Sequence, residues 1–212
     1  MVKKILIQTS FDIFDIFEET NIRPVDRVYK RKFRNKMFQK LPAEKLKKHT
    51  TLKSNLLTKL KNQAIKEMPL IEGIIDEIFP KKTPVIVYSI EQHLKLYAVD
   101  NKPVMVELGT GDVFPMLRTA IDYPGLLPVI YVDEGAVNAL LRGADLMAPG
   151  IKLVPKEFEA GAIVQVNLLD CDHPFMIGQA QMSSAEAKNA KGIAVKNLTI
   201  LRDALYMAHN GL

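Results

Sequence analysis

The stretch Asp133-Glu134-Gly135-Ala136-Val137-Asn138-Ala139-Leu140-Leu141-Arg142-Gly143-Ala144-Asp145-Leu146-Met147-Ala148-Pro149-Gly150-Ile151 decides how the C-terminal half reads. Asp133 suits a helix N-cap, because its carboxylate can accept from the free backbone N–H groups that open a helix over Glu134 to Arg142. Gly143 stands where a C-terminal cap glycine belongs, since glycine enters the left-handed region without a Cβ penalty. Ala144 to Ile151 is then a tight, turn-rich stretch. A strand, Val129 to Val132, precedes the helix, and apolar runs follow at Ala162 to Leu169, Phe175 to Met182 and Ile193 to Leu201. Together these predict a small, mostly β domain with one early helix.

Working back towards the N-terminus, Tyr123-Pro124-Gly125-Leu126-Leu127-Pro128 is the best linker in the chain, with two prolines and a glycine among six residues. Ahead of it, β-rich runs occupy Val85 to Ile90, Leu94 to Val99 and Val104 to Leu108, with turn chemistry at Asp100-Asn101-Lys102-Pro103. Phe114 to Ile121 adds a candidate helix. Leu52, Leu56, Leu57, Leu60, Ala64, Ile65 and Met68 fall at helical spacing, with Lys53, Lys59, Lys61 and Lys66 mostly on the other face. Pro69 breaks this helix, a second runs from Leu70 to Phe79, and Pro80 closes it. Residues 1 to 36 have no clear period, though a short helix fits near Phe11 to Glu19.

The 212 residues are 48% hydrophobic and 25% charged, which is ordinary globular composition and excludes wholesale disorder and fibrous architectures. A single cysteine, Cys171, excludes an internal disulfide scaffold and points to a reducing compartment, the cytoplasm. No apolar stretch approaches the roughly 20 residues of a membrane span. The net charge of +5 conceals an uneven distribution: fifteen of the 29 Lys and Arg, but only two of the 24 Asp and Glu, fall between Arg23 and Lys66. A polyanion, RNA or DNA above all, is the natural partner of such a segment. A solvated face with a basic arm is the plainer alternative, and an acidic membrane surface a third, weakened by the small apolar face of Tyr29 to Lys36.

Catalytic signals are thin. His49, His93, His173 and His209 are scattered, so no metal site is read. Cys171-Asp172-His173 is a triplet of sequence neighbours, which point in different directions and need not meet as nucleophile and base. Glu72 and Asp76, four apart on one helical face, could hold a cation or work as an acid–base pair, but read more simply as an acidic solvated face. Gly109-Thr110-Gly111-Asp112 lacks the third glycine and the Lys-Ser/Thr pair of a phosphate loop and reads as a turn after a strand. No catalytic residue and no cofactor are therefore expected.

The 133–151 stretch resembles the signature of PUA domains, small pseudo-barrel RNA-binding modules. Further motifs narrow the likeness: Met37-Phe38-Gln39-Lys40, Asn62-Gln63, Phe79-Pro80-Lys81-Lys82-Thr83-Pro84-Val85, and Phe114-Pro115-Met116-Leu117-Arg118, followed by Tyr123-Pro124 and Leu127-Pro128. In this order they resemble the malignant T-cell-amplified sequence 1 family from about Met37 to the C-terminus. The resemblance implies an α+β fold, a small N-terminal α/β domain followed by a PUA pseudo-β-barrel. It divides the chain into a basic N-terminal extension (1–36), the family's N-terminal domain (37–122) and the PUA domain (128–212). The stretch from Pro149-Gly150 to Lys152-Leu153 departs from the animal members in being shorter.

The resemblance also implies a function: a non-catalytic translation factor on the small ribosomal subunit, paired with a density-regulated-protein-like partner. Such factors act in tRNA release after termination, in reinitiation and in initiator tRNA placement. On that reading Lys53, Lys59, Lys61, Lys81 and Lys82 meet rRNA phosphates, while Arg142, Gly143, Ala144, Pro149, Gly150 and Lys152 form the PUA contact surface for tRNA. Glycines let an RNA backbone approach, and Arg and Lys pair with phosphate. Two alternatives belong to other classes: a PUA-containing accessory of RNA modification, and a protein-interaction adaptor whose PUA fold no longer binds RNA.

Overall fold

The computed structural model describes residues 49–90 and 94–208. The helix expected near Phe11 to Glu19 and the basic run Tyr29 to Lys36 lie outside them. The apolar runs of the first half, with a short polar strand ahead of them, pair as an antiparallel sheet in sequence order: β1 (His49–Thr51), β2 (Val85–Ile90), β3 (Leu94–Val99), β4 (Lys102–Glu107) and β5 (Val113–Pro115). Asp100 and Asn101 turn β3 into β4 with φ of 48° and 62°, the left-handed pair of a two-residue hairpin turn. Between β1 and β2 runs α1 (Ser54–Glu67), which buries Leu60 and Ala64 and leaves Lys53, Lys59 and Lys66 exposed, as its spacing requires.

Two expectations in this half need correction. The second helix is not continuous: a 3-10 turn (Pro69–Ile71) and a single α-turn, α2 (Ile75–Ile78), flank a break at Gly73 and Ile74. Ile71, Ile75 and Ile78 still point inward, so the apolar spacing survives while glycine releases the backbone between them. The helix expected over Phe114 to Ile121 starts late. Phe114 and Pro115 belong to β5, because a residue before proline is driven to extended backbone and Phe114 pairs with Val106. Only Leu117–Asp122 is helical, as α3.

The second half forms a six-stranded sheet: β6 (Val129–Val132), β7 (Leu146–Met147), β8 (Ile151–Leu153), β9 (Ile163–Leu168), β10 (Pro174–Ala180) and β11 (Ile193–Ile200). Their spatial order is β7-β11-β10-β9-β6-β8, antiparallel except where β6 runs parallel to β9. The two edge strands, β7 and β8, are neighbours in sequence, joined only by the 3-10 turn Ala148–Gly150. The sheet must therefore curl until its edges nearly meet, which makes it a pseudo-barrel. Short helices α4 (Glu134–Leu140), α5 (Ser184–Ala187) and α6 (Ala204–Met207) complete it. The α+β fold expected from the sequence is the fold observed.

The linker stretch is not loose. Leu126 and Leu127 are each 1% exposed, and the Gln165 amide donates to the Pro128 carbonyl at 2.9 Å. Helix α3 packs on β10, and the Arg118 guanidinium lies 5.3 Å from the centre of the Tyr206 ring on α6. Among the described residues no helix is long and apolar enough to cross a membrane.

Candidate nucleic-acid interface

The first candidate surface is built on α1 and the segment after α2. Lys59 and Lys66 lie seven residues apart, hence on one helical face, and Lys53 is exposed at the helix start. Lys59 carries no ion pair among the described residues, and its ammonium is open to solvent. Lys61 is different: its Nζ donates to the Phe79 carbonyl and to Asp76 Oδ1, each at 2.8 Å, and sits 6.0 Å from the Phe79 ring centre. With its side chain only 16% exposed, Lys61 is a strut between α1 and α2. Lys81 approaches Asp76 Oδ2 at 3.8 Å but remains 83% exposed, and Lys82 is exposed beside it.

Asp76 is thus the counter-ion of this corner. Its hydrogen bond with Lys61, then the Lys61 charge, holds its carboxyl below the ordinary aspartate range. The suggested Glu72–Asp76 carboxylate pair does not share a helical face, since the Gly73–Ile74 break separates the two residues and Lys61 occupies Asp76. The Gly109–Asp112 segment is the turn expected after β4. Gly111 adopts φ of 94°, Glu67 Oε2 accepts from the Val113 amide at 2.7 Å, and Gln63 donates both to Glu67 and to the Gly111 carbonyl. These bonds pin the turn to the end of α1.

The second candidate surface surrounds α4. Asp133 is the N-cap, accepting from the Ala136 amide at 3.2 Å, and its other oxygen meets Lys152 Nζ at 2.9 Å. The Lys152 hydrogen bond, with the Ala136 amide adding to it, keeps the Asp133 carboxyl below its usual range. Gly150 lies at this same end: a Cβ there would meet Leu146 Cδ1 at 3.1 Å and Ala136 Cβ at 3.9 Å. Gly150 therefore serves close packing of the 3-10 turn on the helix.

The other end of α4 carries Arg142, Gly143 and Ala144. Gly143 has φ of 86°, its amide donates to the Leu140 carbonyl at 2.8 Å, and the Ala144 amide reaches back to the Ala139 carbonyl at 3.2 Å. This is the glycine-capped exit that the sequence foretold. Arg142 is exposed and has no ion pair among the described residues. The expected contact residues thus divide between the two ends of a seven-residue helix, roughly 10 Å apart. The Arg142 end bears a cation that no described carboxylate pairs with, whereas at the other end Asp133 and Glu134 outweigh Lys152. Between the ends the exposed face is small, with Gly135, Asn138 and Ala139.

Sequence reasoning missed two residues at this site. Asp145 Oδ1 accepts from the Asn197 amide at 2.8 Å, and the buried Asn197 side chain donates to the Ala144 carbonyl at 3.2 Å. No local signal marks them, because Asp145, just before β7, and Asn197, on β11, stand more than fifty residues apart.

The chain matches a Pre-PUA-like domain over residues 30–124 and a PUA domain over residues 128–201. It is 31% identical to the malignant T-cell-amplified sequence 1 homolog of Dictyostelium discoideum over 181 residues, 82% of this chain and 99% of that protein. Translation machinery-associated protein 20 of Saccharomyces cerevisiae is 29% identical over 80% of this chain and 97% of its own length. Among solved structures, a hypothetical protein from Pyrococcus horikoshii superimposes with a TM-score of 0.67 at 26% identity, covering 76% of this chain and 99% of that one. A PUA-domain protein from Aeropyrum pernix gives 0.65 at 25% identity, covering 77% of this chain and 91% of that one. With its two sheets, its glycine-capped α4 and relatives matched over nearly their whole length, the chain belongs to the malignant T-cell-amplified sequence 1 family.

Proposed function

We propose that this protein is a non-catalytic, RNA-binding translation factor of the cytoplasm that acts on the small ribosomal subunit with a density-regulated-protein-like partner. Its tasks are tRNA release after termination, reinitiation and non-standard placement of initiator tRNA. The work is divided between the family's N-terminal domain, 37–122, and the PUA domain, 128–212, with residues 1–36 as a basic extension. Lys53, Lys59, Lys81 and Lys82 meet rRNA phosphates; the Arg142-Gly143-Ala144 loop meets tRNA. One observation carries this reading: the exposed Arg142, with no ion pair among the described residues, stands at the glycine-capped end of α4, beside a helix face of glycine, alanine and asparagine.

The mechanism is positioning. Lysine contacts to phosphate release counterions, so affinity falls with salt at a log-log slope of roughly 0.7 to 0.9 per phosphate neutralised. Specificity then comes from the shape of the RNA that the loop admits. Co-sedimentation of the full chain with purified small subunits across a salt series tests it. Saturable binding near physiological salt, with a shallower salt slope for Lys59→Glu, is the expected result. Binding only at low salt, or an unchanged affinity and slope for Lys59→Glu, refutes the assignment.

A further inference from the structure

We infer that Asn197 and Asp145 are positioning residues that present the Arg142-Gly143-Ala144 loop to RNA; the inference rests on the RNA-binding reading of that loop. The loop leaves the end of α4, where the last helical carbonyls lack partners within the helix. Strand β11 supplies what is missing. Asn197, 6% exposed, sends its side-chain amide to the Ala144 carbonyl at 3.2 Å and, at the longer distance of 3.5 Å, to the Leu140 carbonyl. Its backbone amide donates in turn to Asp145 Oδ1 at 2.8 Å. Two side chains thus close a clasp between the loop and β11: Asp145 holds the strand, and the same strand residue holds both flanks of the loop.

The clasp fixes the loop from behind while its front stays open. Arg142 and Ala144 are exposed, whereas Asn197 behind them is buried and Asp145 half-buried. A binding loop gains affinity when it occupies its competent conformation in the free protein, since apparent affinity scales with that fraction. Asn197 has no such duty in a bare strand, where a buried amide with one oxygen lacking a donor among the described residues is an expense. Presentation of the loop accounts for its position.

The test uses the full chain and deacylated bulk tRNA in a filter-binding titration at fixed salt, with thermal melting alongside. Arg142→Ala anchors the experiment. Asp145→Ala removes the acceptor and is expected to weaken tRNA binding about fivefold to tenfold if the competent fraction falls to about a tenth or a fifth. Asp145→Asn keeps an acceptor oxygen and should restore most of the affinity. Combining Asp145→Ala with Arg142→Ala should add little to the Arg142→Ala loss, because both act through one guanidinium. If Arg142→Ala weakens binding but Asp145→Ala does not, or if the two losses simply add, the clasp is structural only and the RNA reading stands. If Arg142→Ala leaves tRNA binding unchanged, the loop is not the RNA contact and the inference falls with that reading.

Discussion

The two halves of the molecule hold their basic groups in different ways. On α1, Lys59 and Lys66 project from a regular helix whose inner face is anchored by Leu60 and Ala64, so their placement needs nothing beyond helical spacing. Around α4, a single arginine is held by a glycine with positive φ, a run of backbone hydrogen bonds, the half-buried Asp145 at the loop's own exit and the buried Asn197 from distant strand β11. The first surface is robust to changes of individual side chains and works by number of charges. The second depends on backbone geometry and works by placement.

The largest effect that sharpens this contrast is expected in the pseudo-barrel. At Gly178 the β10–β11 register shifts, and a Cβ would come within 2.6 Å of the Lys196 carbonyl oxygen and closer still to Val195 Cγ1. Gly178→Ala should cost about 3 kcal/mol in denaturant unfolding. A change below about 1 kcal/mol would mean that the barrel yields easily and that its backbone geometry does not fix the second surface. Next comes the N-terminal half's own geometric element: Glu67→Ala leaves the Val113 amide without its acceptor and should cost about 2 kcal/mol. Little loss there would make the contrast between the halves complete.

A smaller and more discriminating comparison sets two lysines of α1 against each other. Lys61→Met should lower stability by about 1 kcal/mol through loss of its bond to the Phe79 carbonyl. Lys59→Met should leave the melting temperature unchanged and reduce small-subunit binding. The opposite pattern would overturn the division of roles on this helix. The smallest effect is the pH response of Asp133. Its folded carboxyl is depressed below the unfolded value of about 4, so its contribution is present above that pH and is lost as pH falls through the lower folded value. Asp133→Asn should flatten this acid limb of the stability curve; an unaltered limb would show that the Lys152 pairing contributes nothing.

Much of this was legible in the sequence, for a physical reason. Helix α1, the longer strands β2–β4, β6 and β9–β11 and the two caps of α4 are set by local spacing and by single residues such as Asp133 and Gly143, whereas the two- and three-residue strands β1, β5, β7 and β8 are too short to show a period. What escaped is set by distance. Nothing near Lys61 announces that Asp76 and the Phe79 carbonyl will take its ammonium, and nothing near Asp145 announces Asn197. The linker stretch was marked by its prolines and glycine, yet its two leucines are among the most buried residues, because apolar side chains in a loop pack wherever a neighbouring surface lets them. Gly73, read as part of a continuous helix, interrupts it.

The three-residue join Ala148–Gly150 has a consequence for how the protein behaves in a crowded cell. An open sheet ends in two rows of unpaired N–H and C=O groups, each a template on which another chain can grow as a strand. In the six-stranded sheet those two rows belong to strands of two and three residues that follow one another directly. Neither is long enough to recruit a partner strand, and each lies beside the corner that separates them. A cut at Pro149 would let both short strands peel away together, baring the longer edges of β11 and β6 to pairing with another chain.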